Sequence, residues 1–196
     1  VFKRFIFKYA VTSKFISKSI FLSRSDSLFG IVPEDKRTII SNYTSRSNHI
    51  ENTLMNKPPE KDIDFFSGGF SNRNYRVIVE LARAMPEARF VVACLPSVIS
   101  DLGVIPNNLQ LVTDAYGDDF ENLILRAKGV ILPLSDPSVT SGQIVCLGAL
   151  QAGVPVWITK NRFMSEWMQD PRDHQFFVGF EKTSDLFSDI SKRDEA

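Results

Sequence analysis

Hydrophobic and polar positions follow a regular order from residue 62 to the end of the chain. Continuous apolar runs of strand length predict strands covered on both faces, and apolar residues recurring every three or four positions predict helices between them. The predicted strands are 63–67, 90–95, 109–112, 130–134 and 155–159. The predicted helices are 73–85, 118–128, 142–152, 164–169 and 184–192. Strands that alternate with helices in this way predict an α/β fold with a doubly wound, Rossmann-like parallel sheet.

Residues at the predicted helix ends support these boundaries. Ser71 or Asn72 is suited to cap the start of helix 73–85, because either side chain can accept a hydrogen bond from a free backbone amide. Gly129 is suited to end helix 118–128, because glycine readily adopts the left-handed conformation of a C-terminal cap.

The first 61 residues lack this regularity. Residues 19–22 and 37–40 predict two short strands. The polar segment 41–61 contains Pro58 and Pro59 near its end, a composition typical of a linker.

Residues 1–24 carry six basic side chains and no acidic one. If this segment is helical, Phe2, Phe5, Ile6 and Tyr9 fall on one face, and the helix is suited to rest on an anionic membrane surface. The alternative is a buried helix with solvated lysines that packs on another domain. Because the chain does not begin with Met, we expect it to start inside a longer protein, without a signal peptide.

Composition excludes several classes of function. The 23 basic and 23 acidic residues balance, so no overall field favours nucleic acid, and no apolar run is long enough to span a bilayer. Cys94 and Cys146 lie in apolar runs without metal-ligand spacing, which predicts core residues of a reducing compartment. His49 and His174 lack nearby Cys or His companions, so we expect no metal site.

Ligands of open parallel sheets bind at the carboxyl ends of the strands, and three predicted loops lie there. In the first loop, Gly68 and Gly69 allow close backbone approach, and the helix that follows offers free amides for a phosphate. Arg73 is unfavourable in a first helical turn unless an anion lies nearby. The alternative is an ordinary tight turn with a solvated arginine.

The other two loops leave similar alternatives. The second loop, 135–143, concentrates hydroxylated side chains and a glycine at a helix start, which suits a polar anionic ligand. Its simpler interpretation is a capped loop with Thr140 or Ser141 as the N-cap. In the third loop, Tyr116 either stacks on a base or sugar, or packs on the rim. No Ser/His/Asp or Cys/His arrangement stands out in the chain.

In order along residues 62–170, these segments resemble the C-terminal domain of GT-B glycosyltransferases, the class built from two Rossmann-like domains, and especially retaining family four (group 1). The stretch 64–85 resembles the strand, glycine turn and helix that open that domain. Segment 86–96 resembles its second strand, and 107–134 the strand-helix-strand unit beyond. Segment 140–159 resembles the donor-site helix and the strand that follows it.

The resemblance implies a division of the chain. It comprises the end of an acceptor-binding domain (1–45), an interdomain linker (46–61), a nucleotide-sugar donor-binding domain (62–180) and a C-terminal helix (181–196). The chain would then be one GT-B half with remnants of the N-terminal half.

The resemblance also assigns the loops to parts of a donor. The residues implied for the diphosphate are Gly68, Gly69, Ser71 and Arg73. Those implied for the sugar and ribose are Thr140, Ser141, Gly142 and Gln143, and Tyr116 is implied for the base. Catalytic residues stay unassigned.

Two positions depart from the family pattern. Phe70 follows the glycine turn where the family often has an arginine, so Arg73 would supply the charge from the next turn of chain. Thr140 and Gly148 occupy the positions of two glutamates that usually contact the sugar and the ribose. The Ser141–Gln143 form of this loop resembles a subgroup in which amides and hydroxyls would replace the acid.

The implied reaction is transfer of a sugar, in the manner of a hexosyltransferase, from a nucleoside-diphosphate sugar to a glycan or lipid-linked acceptor. The resemblance implies no metal or other cofactor, an acceptor bound by the N-terminal domain, and a role in cell-surface polysaccharide synthesis. We expect a cytoplasmic protein, at most peripheral to the inner face of the membrane, whose residues 1–196 alone bind donor without turnover. The alternatives are a nucleotide-sugar epimerase of the same fold and a non-catalytic nucleotide- or carbohydrate-binding module.

Overall fold

The computed structural model of the protein describes residues 2–21, 24, 29–39, 47–139, 141–161 and 176–194. The N-terminal elements are helix α1 (Phe2–Thr12) and strands β1 (Ser19–Phe21) and β2 (Arg37–Ile39). The remaining strands are β3 (Ile63–Gly68), β4 (Phe90–Ala93), β5 (Leu109–Val112), β6 (Ala127–Leu132), β7 (Val156–Thr159) and β8 (Phe177–Phe180). The remaining helices are α2 (Asn48–Asn56), α3 (Arg76–Ala84), α4 (Pro96–Ile99), α5 (Asp118–Arg126), α6 (Gln143–Gln151) and α7 (Thr183–Asp194).

Strands β3 to β8 form one six-stranded sheet in the order β5-β4-β3-β6-β7-β8, and every neighbouring pair is parallel. The chain runs outward from β3 through β4 and β5, then returns to place β6 on the other side of β3. The carboxyl ends of β3 and β6 therefore flank the switch point at which ligands of doubly wound sheets bind.

Both faces of the sheet are covered by apolar side chains. One face packs Phe66, Val130 and Ile158 against Ile124 of α5 and Ile50 of α2. The opposite face carries Phe65, Ile131 and Trp157 with residues of α3 and α7. The prediction of an α/β, doubly wound parallel sheet covered on both faces is confirmed.

Gly129 lies inside β6 and not at the end of α5, so its predicted role as a helix cap is wrong. Helix α5 ends at Arg126, and Ala127 already has extended backbone. A Cβ atom on Gly129 would lie 2.6 Å from the Trp157 ring. The glycine is therefore explained by the close approach of an aromatic side chain on the next strand.

The start of α3 also differs from its prediction. The helix begins at Arg76 and has no side-chain cap, so neither Ser71 nor Asn72 caps it. Asn72 has a φ of +53°, a left-handed conformation that asparagine tolerates better than most residues. Residues 69–75 therefore form a loop, because the chain turns through Asn72 before the helix can begin.

Three further elements were not predicted, among them the short helix α4. Strand β8 adds an edge to β7 by pairing Val156 with Phe177, a short run that Gly179 interrupts in the sequence. Helix α2 lies in the segment 46–61 predicted as a linker, and its Ile50 is fully buried. The predicted helix 164–169 lies outside the described residues. The division of the chain into domains stays a prediction.

The N-terminal elements have a small core of their own. Strands β1 and β2 pair in parallel, and Val11, Phe21 and Val32 are buried together. On α1, 51% of Ile6 and 76% of Tyr9 are exposed. Within the described ranges, no helix combines the length and the apolar character needed to cross a membrane.

Candidate functional site

A cleft of about 540 Å³ lies at the carboxyl ends of the strands, between the loop after β3, the loop after β5 and the start of α6. Seven of the predicted site residues line it: Gly69, Ser71, Arg73, Tyr116, Ser141, Gly142 and Gln143. Thr140 lies outside the described residues. The structure thus brings the three predicted loops together around one cleft.

A second cleft, of about 580 Å³, lies at the amino ends of the strands and has a different chemical character. Its walls include Phe65, Pro86 and Trp157, and the charged Asp64 and Lys128 on its rim pair with each other at 2.8 Å. The described residues that line it include no arginine and no hydroxyl side chain, so we place the candidate site at the carboxyl ends.

Gly68 is not among the residues that line the cleft. It ends β3, and a Cβ atom there would lie 2.5 Å from the Phe120 ring. Its carbonyl oxygen accepts a hydrogen bond from Arg73 Nε at 3.0 Å. Gly68 therefore affects the site indirectly. It leaves room for the Phe120 ring, and its carbonyl oxygen helps to position Arg73.

Gly69 forms the turn at the edge of the cleft and has a φ of +129°, which strongly favours glycine. Its carbonyl oxygen lies 2.5 Å from the Tyr75 hydroxyl, which is also 3.1 Å from the carbonyl oxygen of Ala93. Burial raises the pKa of Tyr75, so the hydroxyl stays a protonated donor. Tyr75 thus joins the turn to the end of β4, a role that its helical position in the sequence did not indicate.

Arg73 holds a partly buried positive charge at the cleft. Its Nε donates to Gly68 and its Nη1 to the Ser71 carbonyl at 3.0 Å and to Ser141 Oγ at 3.2 Å. All these partners are neutral, and no carboxylate in the described parts of the chain pairs with the guanidinium. Burial lowers the pKa of Arg73, as expected for a cation without a counter-ion.

Asn72 ties the two loops of the switch point together. Its amide nitrogen donates to the Asp136 carbonyl at 2.9 Å, and its amide oxygen accepts from the Asp136 backbone nitrogen at 2.8 Å. The same nitrogen lies 3.2 Å from Ser141 Oγ. Sequence reasoning considered Asn72 only as a cap and missed this role, because the partner is 64 positions away.

Backbone amides with no described partner lie in two of the segments that line the cleft. The amides of residues 70–73 donate to no described residue, and the first hydrogen bond within α6 runs from Cys146 to Gly142. The amides at the start of α6 are therefore free to bind an anion. Gln143 is only 8% exposed, lines the cleft, and has no side-chain hydrogen bond within the described part of the chain.

Asp136, the one acid of the second loop, does not line the cleft. Its Oδ1 accepts hydrogen bonds from the backbone and the hydroxyl of Ser138 at 2.8 and 2.6 Å. These hydrogen bonds lower its pKa, so the carboxyl is ionised near neutral pH. It is poorly placed to act as an acid on a sugar in the cleft.

Two aromatic side chains stand at the mouth of the cleft. The rings of Phe70 and Tyr116 have centroids 5.2 Å apart and an interplanar angle of 35°. They remain 42% and 56% exposed. Phe70, which sequence reasoning treated only as a missing arginine, thus pairs with the residue predicted for the base. Large exposed aromatic faces suit stacking on a planar ligand.

Over the described ranges, no group of three His, Cys, Asp or Glu side chains is placed to hold a metal ion. The polar and aromatic side chains that line the cleft are one arginine, one carboxylate, one amide, hydroxyls and aromatic rings.

Comparison with known proteins identifies the fold. No protein family model and no curated protein sequence matches the chain. Among solved structures, the Anabaena protein HepE in complex with UDP and glucose is similar, with a TM-score of 0.63 and 18% identity over 96% of this chain and 57% of that one. A glycosyltransferase from Rickettsia africae has a TM-score of 0.59 and 14% identity, over 95% of this chain and 56% of that one.

An epimerase is also similar. UDP-GlcNAc 2-epimerase from Neisseria meningitidis, bound to UDP-GlcNAc, has a TM-score of 0.50 and 13% identity, over 91% of this chain and 53% of that one. The chain therefore spans a little more than half the length of each of these three proteins. At such identities the likeness concerns the fold alone. The chain has the Rossmann-like α/β fold that GT-B glycosyltransferases share.

Proposed function

We propose that the cleft binds a nucleoside-diphosphate sugar and that the chain is the donor-binding part of a glycosyltransferase. The observation that carries this proposal is the partly buried Arg73 guanidinium, whose hydrogen-bond partners are all neutral. A cation withdrawn from water is unfavourable until an anion compensates it, and a diphosphate provides that compensation.

The surroundings of Arg73 support a phosphate ligand. The free amides of residues 70–73 and of the first turn of α6 belong to segments that line the same cleft, at the switch point of the sheet. The exposed Phe70 and Tyr116 rings at the mouth provide a surface for a base. Similar solved structures carry UDP or a UDP-sugar.

In this proposal Gly69, Ser71 and Arg73 hold the diphosphate, and Tyr116 with Phe70 holds the base. The loop residues Thr140, Ser141, Gly142 and Gln143 hold the sugar. The arginine and the amides would stabilise the negative charge of the leaving diphosphate during transfer. The proposal has further parts. It includes membership of family four, a hexosyl donor and a glycan or lipid-linked acceptor. It also includes a role in polysaccharide synthesis and a location at the cytoplasmic face of a membrane.

The first test is a thermal-shift panel of UDP, GDP and their sugars with the purified chain. A ligand that binds only the folded state raises the melting temperature, and at a hundred times its dissociation constant it adds about 2.7 kcal/mol of stability. We expect at least one nucleotide to stabilise the protein. If none does, both the transferase and the epimerase functions are wrong.

The second test replaces Arg73 with alanine. Because the contact to the diphosphate is charge-assisted, Arg73→Ala should weaken nucleotide binding by about 1.5–3 kcal/mol, measured by calorimetry. Arg76→Ala is the matched control, since Arg76 is exposed, donates to the Asp101 carbonyl and lies outside the cleft. If wild type and Arg73→Ala bind the nucleotide with equal affinity, Arg73 has only a structural role.

The two alternatives differ from the transferase in the groups they need and in the products they release. An epimerase needs groups that move protons at the sugar, and the one acid of the sugar loop, Asp136, is ionised and lies outside the cleft. A non-catalytic module would bind nucleotide sugar in the full protein without release of nucleoside diphosphate. We favour the transferase, in which an acceptor domain completes the site.

A further inference from the structure

Glu121 is the one carboxylate among the described residues that line the cleft. It lies on α5 between two other lining residues, Phe120 and Ile124. In a cleft whose other polar groups suit an anion, an acidic side chain needs an explanation, because it would repel a phosphate placed beside it.

The position of Glu121 is fixed by a network of hydrogen bonds centred on Ser47. Its Oε2 accepts a hydrogen bond from Ser47 Oγ at 2.5 Å. The Ser47 backbone nitrogen and carbonyl oxygen each pair with the Gln151 side-chain amide at 2.8 Å. Ser47 Oγ also accepts from the Ile50 amide as the N-cap of α2. The carboxylate is therefore held in place, while its Oε1 bonds to no described residue.

Arg73 and Glu121 are anchored near opposite ends of α6. Arg73 bonds to Ser141, just before the helix starts, whereas Glu121 connects through Ser47 to Gln151, its last residue. Nine helical residues span about 12–14 Å. Toward the Glu121 end, Gly148 lines the cleft and leaves its wall without a side chain. The cleft thus offers hydrogen-bond donors at one end and an acceptor toward the other.

A matching ligand has an anion at one end and hydroxyl donors further along. We infer that Glu121 accepts hydrogen bonds from the ribose hydroxyls of the bound nucleotide and makes the cleft selective for ribonucleoside diphosphates. This inference rests on the proposed function and deepens it, because it names the residue that recognises the ribose of the nucleoside. It also accounts for the acid in an anion site, because the carboxylate is separated from Arg73 and the diphosphate.

The test compares UDP and GDP with their 2′,3′-dideoxy analogues in calorimetric titrations of the wild-type chain. The wild type should bind each ribonucleotide about 10- to 100-fold more tightly than its analogue, the range for hydrogen bonds to a charged group. Glu121→Gln should lower ribonucleotide affinity about 10-fold and leave the analogues unchanged, because the amide is a weaker acceptor that can still bond to Ser47. Glu121→Ala should remove the preference altogether.

Asp119→Asn is the matched control, since Asp119 is exposed on the same helix, outside the cleft. It removes the same charge and should preserve the wild-type preference. Inorganic pyrophosphate serves as a second probe, and neither Glu121 variant should bind it more weakly than wild type. A ribo-to-dideoxy ratio that is the same in wild type and both Glu121 variants would overturn the inference while nucleotide binding itself stands. Failure of the wild type to bind UDP and GDP would overturn the proposed function and this inference together.

Discussion

The Tyr75 hydroxyl reaches two backbone carbonyls at the ends of neighbouring strands, those of Gly69 and Ala93. It does not line the cleft, so any effect on a ligand passes through the glycine turn. The turn at Gly69 makes few contacts of its own. We therefore expect the hydrogen bond from the Tyr75 hydroxyl to hold it in place.

Tyr75→Phe should therefore lower the affinities for UDP and for pyrophosphate by the same factor, about 10-fold. Only the turn that would bind the diphosphate loses a hydrogen bond. The folded state should lose about 1 kcal/mol, the usual value of one hydrogen bond. Calorimetric titration and urea unfolding measure the two effects. Tyr9→Phe, which removes an exposed hydroxyl, is the control. Lower stability with unchanged affinities would show that Tyr75 serves only the fold.

Glycines illustrate what single residues reveal before a structure is known. Gly69 was predicted as a turn residue, and its φ of +129° fits that prediction. Gly68 and Gly129 face the rings of Phe120 and Trp157 instead. A glycine that makes room for a distant aromatic ring looks the same in the sequence as one that makes a turn, so only the fold distinguishes them.

At the scale of elements, the amino end of β3 is held by charges. The Asp62 carboxylate, just before β3, accepts hydrogen bonds from Arg126 Nε at 2.7 Å and Arg89 Nη1 at 2.8 Å. These residues lie at the end of α5 and just before β4. The hydrogen bond from Arg126 contributes most to lowering the pKa of Asp62, to about 2.

This pKa predicts how stability depends on pH. The folded pKa of Asp62 lies below the unfolded value of about 3.9, so its contribution to stability is complete above about pH 4 and is lost as the pH falls toward 2. Asp62→Asn should be less stable than wild type at pH 7 and should lose less stability between about pH 4 and 2. Urea unfolding across this range measures both. Asp119→Asn is the control. If the stability of Asp62→Asn falls with pH as steeply as that of the wild type and of this control, Asp62 does not cause the loss of stability at low pH.

The elements themselves were predictable where packing alone determines them. Strand 109–112 has the predicted bounds, and buried runs such as 90–93 give a clear signal because both faces are covered. The start of α3 was not predictable, since it depends on Asn72 bonding to Asp136 across the switch point. The reach of Glu121 into the cleft was likewise hidden, because an acid in a first helical turn is also explained by the helix dipole.

For the whole molecule, the N-terminal elements raise the question of what their exposed side chains contact. Ile6, Tyr9, Phe15 and Ile20 are 51–87% exposed, and residues 1–24 contain six basic residues and no acid. Aromatic and aliphatic side chains mixed with basic ones suit the interface of an anionic bilayer.

If this surface binds lipid, Tyr9→Ser with Phe15→Ser should lower cosedimentation with phosphatidylcholine vesicles that contain phosphatidylserine, and leave UDP binding unchanged. Vesicles of phosphatidylcholine alone should bind little, since they lack the negative charge. Val104→Ser, which removes an isolated exposed side chain far along the chain, is the control. If the wild-type protein cosediments with neither charged nor neutral vesicles, the result would favour the alternative, in which another domain covers the surface.

The pairing of Asn72 with Asp136 has a kinetic consequence. The Asn72 side chain bonds the two loops directly to each other, so a nucleotide that binds in the cleft would need no ordering of one loop against the other. Association should then be a single phase whose rate rises in proportion to nucleotide concentration, and affinity differences among nucleotides should appear in their dissociation rates.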